Sequence, residues 1–367
     1  MDSGMIRLML KKLLKDKSGN FGILAAVAIV PILGMAGMAI DFTRAMQLRS
    51  ELQNAADAAV VGALSEKSAG MLEAINMSGN GVVKLSEEEG LSLFNAQISK
   101  STDDPDEQAQ KKGSEPDINE KNVTISVTKT GKNLRAELTY EMSIKTSLLQ
   151  AIGKKSIKVS GKAVAVYQTQ SFMDFYMLLD NTPSMGVGAT PADVEKLIDA
   201  TKNVADSGSR NCAFACHIVS DKGVEDKTSN YFVARNVGAT IRIDVVAQAV
   251  AALTEEAEKT QSYSNQFRMA AYTFGKTAMD VKLLEVAKLT DNLKKIKKAT
   301  DKIELMSIPY QGYNNDQQTS FDNVLTKIGE EITAPGNGNS SATPEKIVFF
   351  VSDGVGDSYK PTGCTKN

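Results

Sequence analysis

The sequence predicts an α/β protein in three parts: an N-terminal transmembrane helix, a small α+β middle domain, and a C-terminal doubly wound domain. Three observations carry this reading. Nineteen uncharged residues, Gly22–Ile40, follow a lysine-rich start. Three period-two stretches fall between residues 122 and 168, and beyond Gln170 buried apolar runs alternate with helical patterns.

Taken in order, residues 1–21 form a basic segment, with Arg7, Lys11, Lys12, Lys15 and Lys17 against Asp2 and Asp16. As a helix, residues 22–40 reach about 28 Å, close to the apolar thickness of a bilayer. The basic flank places the N-terminus in the cytoplasm and the bulk across the membrane. Pro31 is expected to kink the span. Gly37-Met38-Ala39 offers a small-x-small cleavage pattern, but the apolar stretch is longer than a signal-peptide core, which favours an uncleaved anchor.

Residues 41–169 make the middle domain. Asp41–Ser65 continues as an amphipathic helix with Leu48, Leu52, Ala55, Ala56, Ala59, Val60 and Ala63 on one stripe. The stripe suits packing on its own domain at least as well as a partner helix. Glu87–Ile98 has a helical pattern, and the polar stretch 101–116 reads as a solvated linker. Asn122–Lys129, Leu134–Ile144 and Ser156–Gln168 read as three strands of a small sheet packed on the helix, with Ser147–Gly153 a short helical turn between the last two.

Residues 170–367 make the third part. Phe172–Leu179 is almost wholly apolar, with one early charge at Asp174, and reads as a strand buried on both faces. Helices are expected over residues 190–205, Ile241–Lys259 with Thr240 as cap, Leu293–Ala299 with Thr290 as cap, and Ser320–Ile332. Phe267–Phe274 and Met279–Leu284 read as a strand pair, and the run ending at Asp353 as a last buried strand.

The chemistry concentrates after Phe172–Leu179. Asp180, Thr182 and Ser184 place a carboxylate and two hydroxyls on alternate residues of a tight turn, so their oxygens converge. In open α/β sheets such loops, at the carboxyl ends of strands, bind ligands. Oxygen donors suit hard cations, and further ligands would have to come from other loops. Thr319 precedes a helix, and Asp353 ends a strand with Gly354 allowing a sharp turn. Each also has an ordinary structural reading, as an Asx-turn, an N-cap and a plain turn.

Asp180, Thr182, Ser184, Thr319 and Asp353, in that order, resemble the metal-ion-dependent adhesion site of von Willebrand factor A domains, Asp-x-Ser-x-Ser followed by a distant Thr and a distant Asp. The departure is Thr182, where the family usually has Ser. The resemblance implies Mg²⁺, or Mn²⁺ or Ca²⁺, with Ser184 and Thr319 touching the ion and Asp180 and Asp353 holding it directly or through water. A partner protein's acidic side chain would complete the shell. That fold continues past the strand ending at Asp353, and only fourteen residues follow here, so the domain is expected to expose an apolar edge.

The anchor and following helix, particularly LQNAADAAVVGAL, resemble the N-terminal segment of TadE/TadG-like proteins of the tight-adherence (Flp) pilus system. The fifth residue after Gly19 is Leu24, where processed pilins carry Glu, which favours an anchor over a processed subunit. The implied setting is the bacterial inner membrane with the bulk in the periplasm, and pilus components as partners.

The single His217 leaves no multi-His metal site, and a net charge of −2 gives no nucleic-acid signal. Cys212 and Cys216 precede His217 with one residue too many for haem attachment; a small-loop disulfide is the leading expectation outside the cytoplasm, with Cys364 left over. The expected function is a metal-dependent protein-binding scaffold rather than an enzyme. The alternatives are a structural tether with a vestigial metal site, or a phosphotransferase, for which the carboxylate commonly found two residues after the nucleophile is replaced by Thr182.

Overall fold

The structure is a computed structural model that describes residues 20–100, 118–354 and 356–358. The chain divides between Gln168 and Thr169 into two compact units.

The first unit begins with α1, Asn20–Ala63, one unbroken helix with Pro31 inside it. Its first half presents apolar side chains outward, Val27 and Val30 being 68% and 71% exposed. Among the described residues it is the one helix long and apolar enough to cross a membrane. Its second half changes character: Leu48, Leu52, Ala55, Ala56, Ala59, Val60 and Ala63 are buried. They pack on their own unit, against α3 (Lys84–Lys100), β3 (Asn133–Lys145) and β4 (Ser156–Gln168). The small stripe permits close approach: a Cβ on Gly90 of α3 would lie 3.1 Å from that of Ala63 and 2.4 Å from Ile125 Cδ1.

With β1 (Gly81–Val82) and β2 (Ile118–Thr130), β3 and β4 form an antiparallel sheet in the order β1-β2-β3-β4. A helix that the period of the sequence does not announce, α2 (Ala69–Asn76), is closed from both ends by side chains. Ser68 Oγ accepts from the Met71 amide, and buried Lys129 on β2 donates to the Ala74 and Met77 carbonyls at 2.7 and 2.8 Å. Asp41, buried on α1, accepts from the amides of Ser147, Leu148 and Leu149 at 3.0, 2.9 and 2.8 Å, fixing the turn between β3 and β4.

The second unit is built on a sheet ordered β11-β5-β7-β8: β5 Met173–Leu179, β7 Phe267–Thr273, β8 Leu284–Thr290 and β11 Glu345–Val351. β11, β5 and β7 run parallel and β8 antiparallel. Between β5 and β7 come α4 (Pro191–Ala200), the short strand β6 (His217–Ile218), α5 (Asn230–Val237) and α6 (Arg242–Thr260). After β8 come α7 (Leu293–Thr300), the short strands β9 (Ser307–Ile308) and β10 (Gln318–Thr319), and α8 (Phe321–Glu331). The two-residue β12, Asp357–Ser358, pairs with β10.

Alternate residues of β5 enter two cores, as a both-face-buried strand requires. Met177 and Leu179 pack with Leu197, Val246, Val250 and Ile296 of α4, α6 and α7; Tyr176 and Leu178 pack with Val324 and Ile328 of α8. Asp174 is wholly buried and is answered by both neighbouring strands at the same register level. Arg268 of β7 forks onto its two oxygens at 2.7 Å each, and Lys346 of β11 pairs with it from the other side. Among the described residues β11 pairs within this sheet only with β5, and Val348, Phe349 and Phe350 remain about 40% exposed at that edge.

Several local expectations are corrected. The partner of β7 is Leu284–Thr290, not Met279–Leu284; residues 275–283 fold back, with the Lys282 amide donating to the Phe274 carbonyl. The caps of α6 and α7 are Ile241 and Asn292 rather than Thr240 and Thr290. No disulfide joins Cys212 to Cys216. Cys216 turns into the core of Tyr176, Leu178 and Met306, while the Cys212 sulfur accepts from the Phe214 amide. Cys364 and the sequence-read linker 101–116 lie outside the described residues.

Two outcomes follow from the buried carboxylates. Asp174→Ala leaves two cations facing an apolar hole and should lower stability by roughly 3–5 kcal/mol, whereas replacing all three by Asp174→Leu, Arg268→Met and Lys346→Met should recover most of it. Thermal unfolding of both variants measures this. Asp41→Ala should speed amide exchange at Leu148 and Leu149 by about 100-fold without changing β7, a local opening that hydrogen-exchange mass spectrometry resolves.

Candidate metal centre

β5 delivers Asp180 to its carboxyl end with a side chain that is 0% exposed. The Asp180 amide donates to the Val351 carbonyl at 2.9 Å, which holds the loop after β5 against the end of β11. The next residues form a tight 3₁₀ turn, Pro183–Gly186, with Thr182 at its cap.

The side chains then form a connected set. Asp180 Oδ1 accepts from the Thr182 amide at 2.9 Å and from its hydroxyl at 2.6 Å, and Oδ2 accepts from the Ser352 hydroxyl at 2.8 Å. Thr319, 137 residues from Thr182, donates to the Thr182 hydroxyl at 3.0 Å. Thr182 has spent its one proton on Asp180, so Ser184 is the donor in the 3.3 Å contact between the Thr182 and Ser184 hydroxyls. Asp353 follows Ser352 directly and accepts from Arg242 Nη1 at 2.8 Å. The same Arg242 nitrogen reaches the Ser184 carbonyl at 3.5 Å. Gly354, with φ of +87°, takes the chain away in a conformation that favours glycine.

All five sequence-predicted residues, Asp180, Thr182, Ser184, Thr319 and Asp353, therefore gather at one place from three separated segments. Sequence reading missed Ser352 and Arg242. A hydroxyl beside Asp353 was in plain view; Arg242 carried no local sign except that a cation opens a helix. Asn181 points away, as alternation requires. Its Oδ1 accepts from the Phe274 amide and its Nδ2 donates to the Gly275 and Glu304 carbonyls. It lines a neighbouring cleft of about 810 Å³ together with His217, whose Nδ1 lies 3.0 Å from the Leu305 carbonyl.

Burial pushes the Asp180 carboxyl above its ordinary range, and nearby Asp353 adds to this; the hydrogen bonds from Thr182 and Ser352 oppose it. Every hydrogen-bond donor to Asp180 is neutral. A carboxylate buried with dipoles alone is short of positive charge. The five sequence-predicted side chains, two carboxylates and three hydroxyls, offer oxygens only, with Arg242 on Asp353 the one side-chain nitrogen donor described beside them. This donor set fits a hard divalent cation rather than zinc or copper. Among the described residues no cluster of three or more His, Cys, Asp or Glu side chains is placed to hold a metal; here hydroxyls are the majority.

Comparisons with known proteins bear on the other unit. Residues 19–66 match the Tad family, described as Flp pilus-assembly TadE/G-like. No curated protein matches the chain. Among solved structures, a point mutant of the PilB minor pilin from Streptococcus sanguinis aligns at 10% identity over 63% of this chain, with a TM-score of 0.24, a likeness too slight to carry fold or function. This chain covers 46% of that structure's length. The Tad-like segment coincides with α1, and an apolar helix within a Tad-like segment supports a membrane-anchored, pilus-related protein.

Proposed function

We propose that this protein is a scaffold of Tad/Flp pilus assembly or surface adhesion. It is anchored in the bacterial inner membrane by residues 22–40, with its N-terminus in the cytoplasm. The second unit, an A-type domain in the periplasm, binds a partner through a divalent ion. The observation that carries the reading is the convergence of Asp180, Thr182, Ser184, Thr319 and Asp353 at the carboxyl ends of β5 and β11. Their hydrogen bonds preorganise the loops before any ligand arrives.

Ser184 and Thr319 would present hydroxyl oxygens to Mg²⁺, or Mn²⁺ or Ca²⁺, with Asp180 and Asp353 supplying the charge and Thr182 fixing the loop. The ion would supply an open coordination position for a carboxylate of the partner. Hydrogen bonds already tie these loops together, so binding would need little ordering of the site. Catalysis is disfavoured because Thr182 stands where a phosphotransferase with Asp180 as nucleophile would place its acid/base carboxylate. One observation favours a second reading, a structural tether whose metal site is vestigial: Asp353 already holds a cation, Arg242.

Titration calorimetry with Mg²⁺ and Mn²⁺ tests the site. One ion per chain should bind, and both Asp180→Ala and Thr319→Ala should weaken it by at least about tenfold. Binding unchanged in both variants would place the ion elsewhere, and Asp180→Ala cells with normal pili would favour the tether.

A further inference from the structure

Arg242 is the first residue of α6, where the helix macrodipole presents its positive end, so a cation there is unfavourably placed. The acidic residue of that first turn does not answer it. Asp244 accepts from the Ile241 amide and pairs with Arg235 at 2.7 Å. The carboxylate that does answer it, Asp353, comes from 111 residues further along. The Asp353 side chain is 10% exposed and that of Arg242 42%, so the pair straddles the rim of the cluster. Of the two clustered carboxylates, Asp353 has a charged donor and Asp180 has neutral ones only.

We propose that Arg242 is a built-in competitor for the divalent ion: in the ion-free protein it holds Asp353, and ion binding releases it. This rests on the metal-centre reading above. The competition explains how the carboxylates stay close without an ion and why a cation sits at an unfavourable helix position. It also sets specificity, because an ion must outbid a charge-assisted hydrogen bond, which favours divalent over monovalent cations. Once released, the guanidinium stands beside the ion with its donors free for an acidic group of the partner.

The test compares Mg²⁺ and Mn²⁺ affinities by calorimetry in the detergent-solubilised full chain. The variants are Arg242→Gln, Arg242→Met and, as a control for net charge, Lys259→Gln in the last turn of the same helix. Both Arg242 variants should bind about tenfold tighter than the unaltered protein, and Lys259→Gln should match it. Ion binding of equal strength with and without Arg242 overturns the competition while leaving the metal centre intact. An equal gain in Lys259→Gln assigns the effect to overall charge and likewise overturns it. No binding by any variant overturns the metal-centre reading itself, whereas binding only when Arg242 is removed supports the competition in its strongest form.

Discussion

Asp180 is buried completely at the end of a central strand, and the hydrogen bonds it accepts come from an amide and two hydroxyls. That constraint organises the second unit. Holding a carboxylate out of water requires the loops after β5 and β11 to close over it, and the Asp180 amide bond to Val351 and the Ser352 hydroxyl bond do so. The parallel pairing of β5 with β11 brings these loops side by side, and α8 brings Thr319 to them from its N-terminal end. The neutral donors around Asp180 leave its charge without a cationic partner, and the proposed ion would supply one.

Among the described residues three aspartates are buried, and each is answered differently. Asp174 lies between Arg268 and Lys346 in a cross-strand row, which leaves it no capacity for a ligand. Asp41 takes three backbone amides and serves as a clasp between α1 and the β3–β4 turn. Asp180 alone among them is answered by hydroxyls, from Thr182 and Ser352, together with one amide, a donor set unlike the cations on Asp174 or the amides on Asp41. The same chain thus shows that burial of a carboxylate does not by itself mark function, since Asp174 and Asp41 are buried like Asp180 and hold structure together.

Much of this was legible because it is local. The run Phe172–Leu179 is apolar at nearly every position, and β5 is buried on both faces. The small-residue stripe from Leu48 to Ala63 has helical period, and it is buried. The alternation of Asp180, Thr182 and Ser184 marked the loop, and hydrogen bonds join the three side chains there. What stayed hidden depends on distant partners. Met279–Leu284 alternates more cleanly than Leu284–Thr290, yet pairing of Thr273 with Leu284 and Met269 with Thr290 selects the latter. The end of α2 is closed by Lys129, more than fifty residues away, which no window of sequence reveals. Arg242 belongs to the same class: only the folded chain puts it on Asp353.

The central claim is that one divalent ion sits among Asp180, Thr182, Ser184, Thr319 and Asp353. Crystals of the second unit within the full chain, grown with Mn²⁺ and measured at the manganese absorption edge, test it most directly. The account predicts one anomalous peak per chain within coordination distance of the Ser184 and Thr319 hydroxyls, with the Arg242 guanidinium displaced from Asp353. Ordered density for all five side chains with no peak among them, at Mn²⁺ concentrations that saturate ordinary sites, would contradict it.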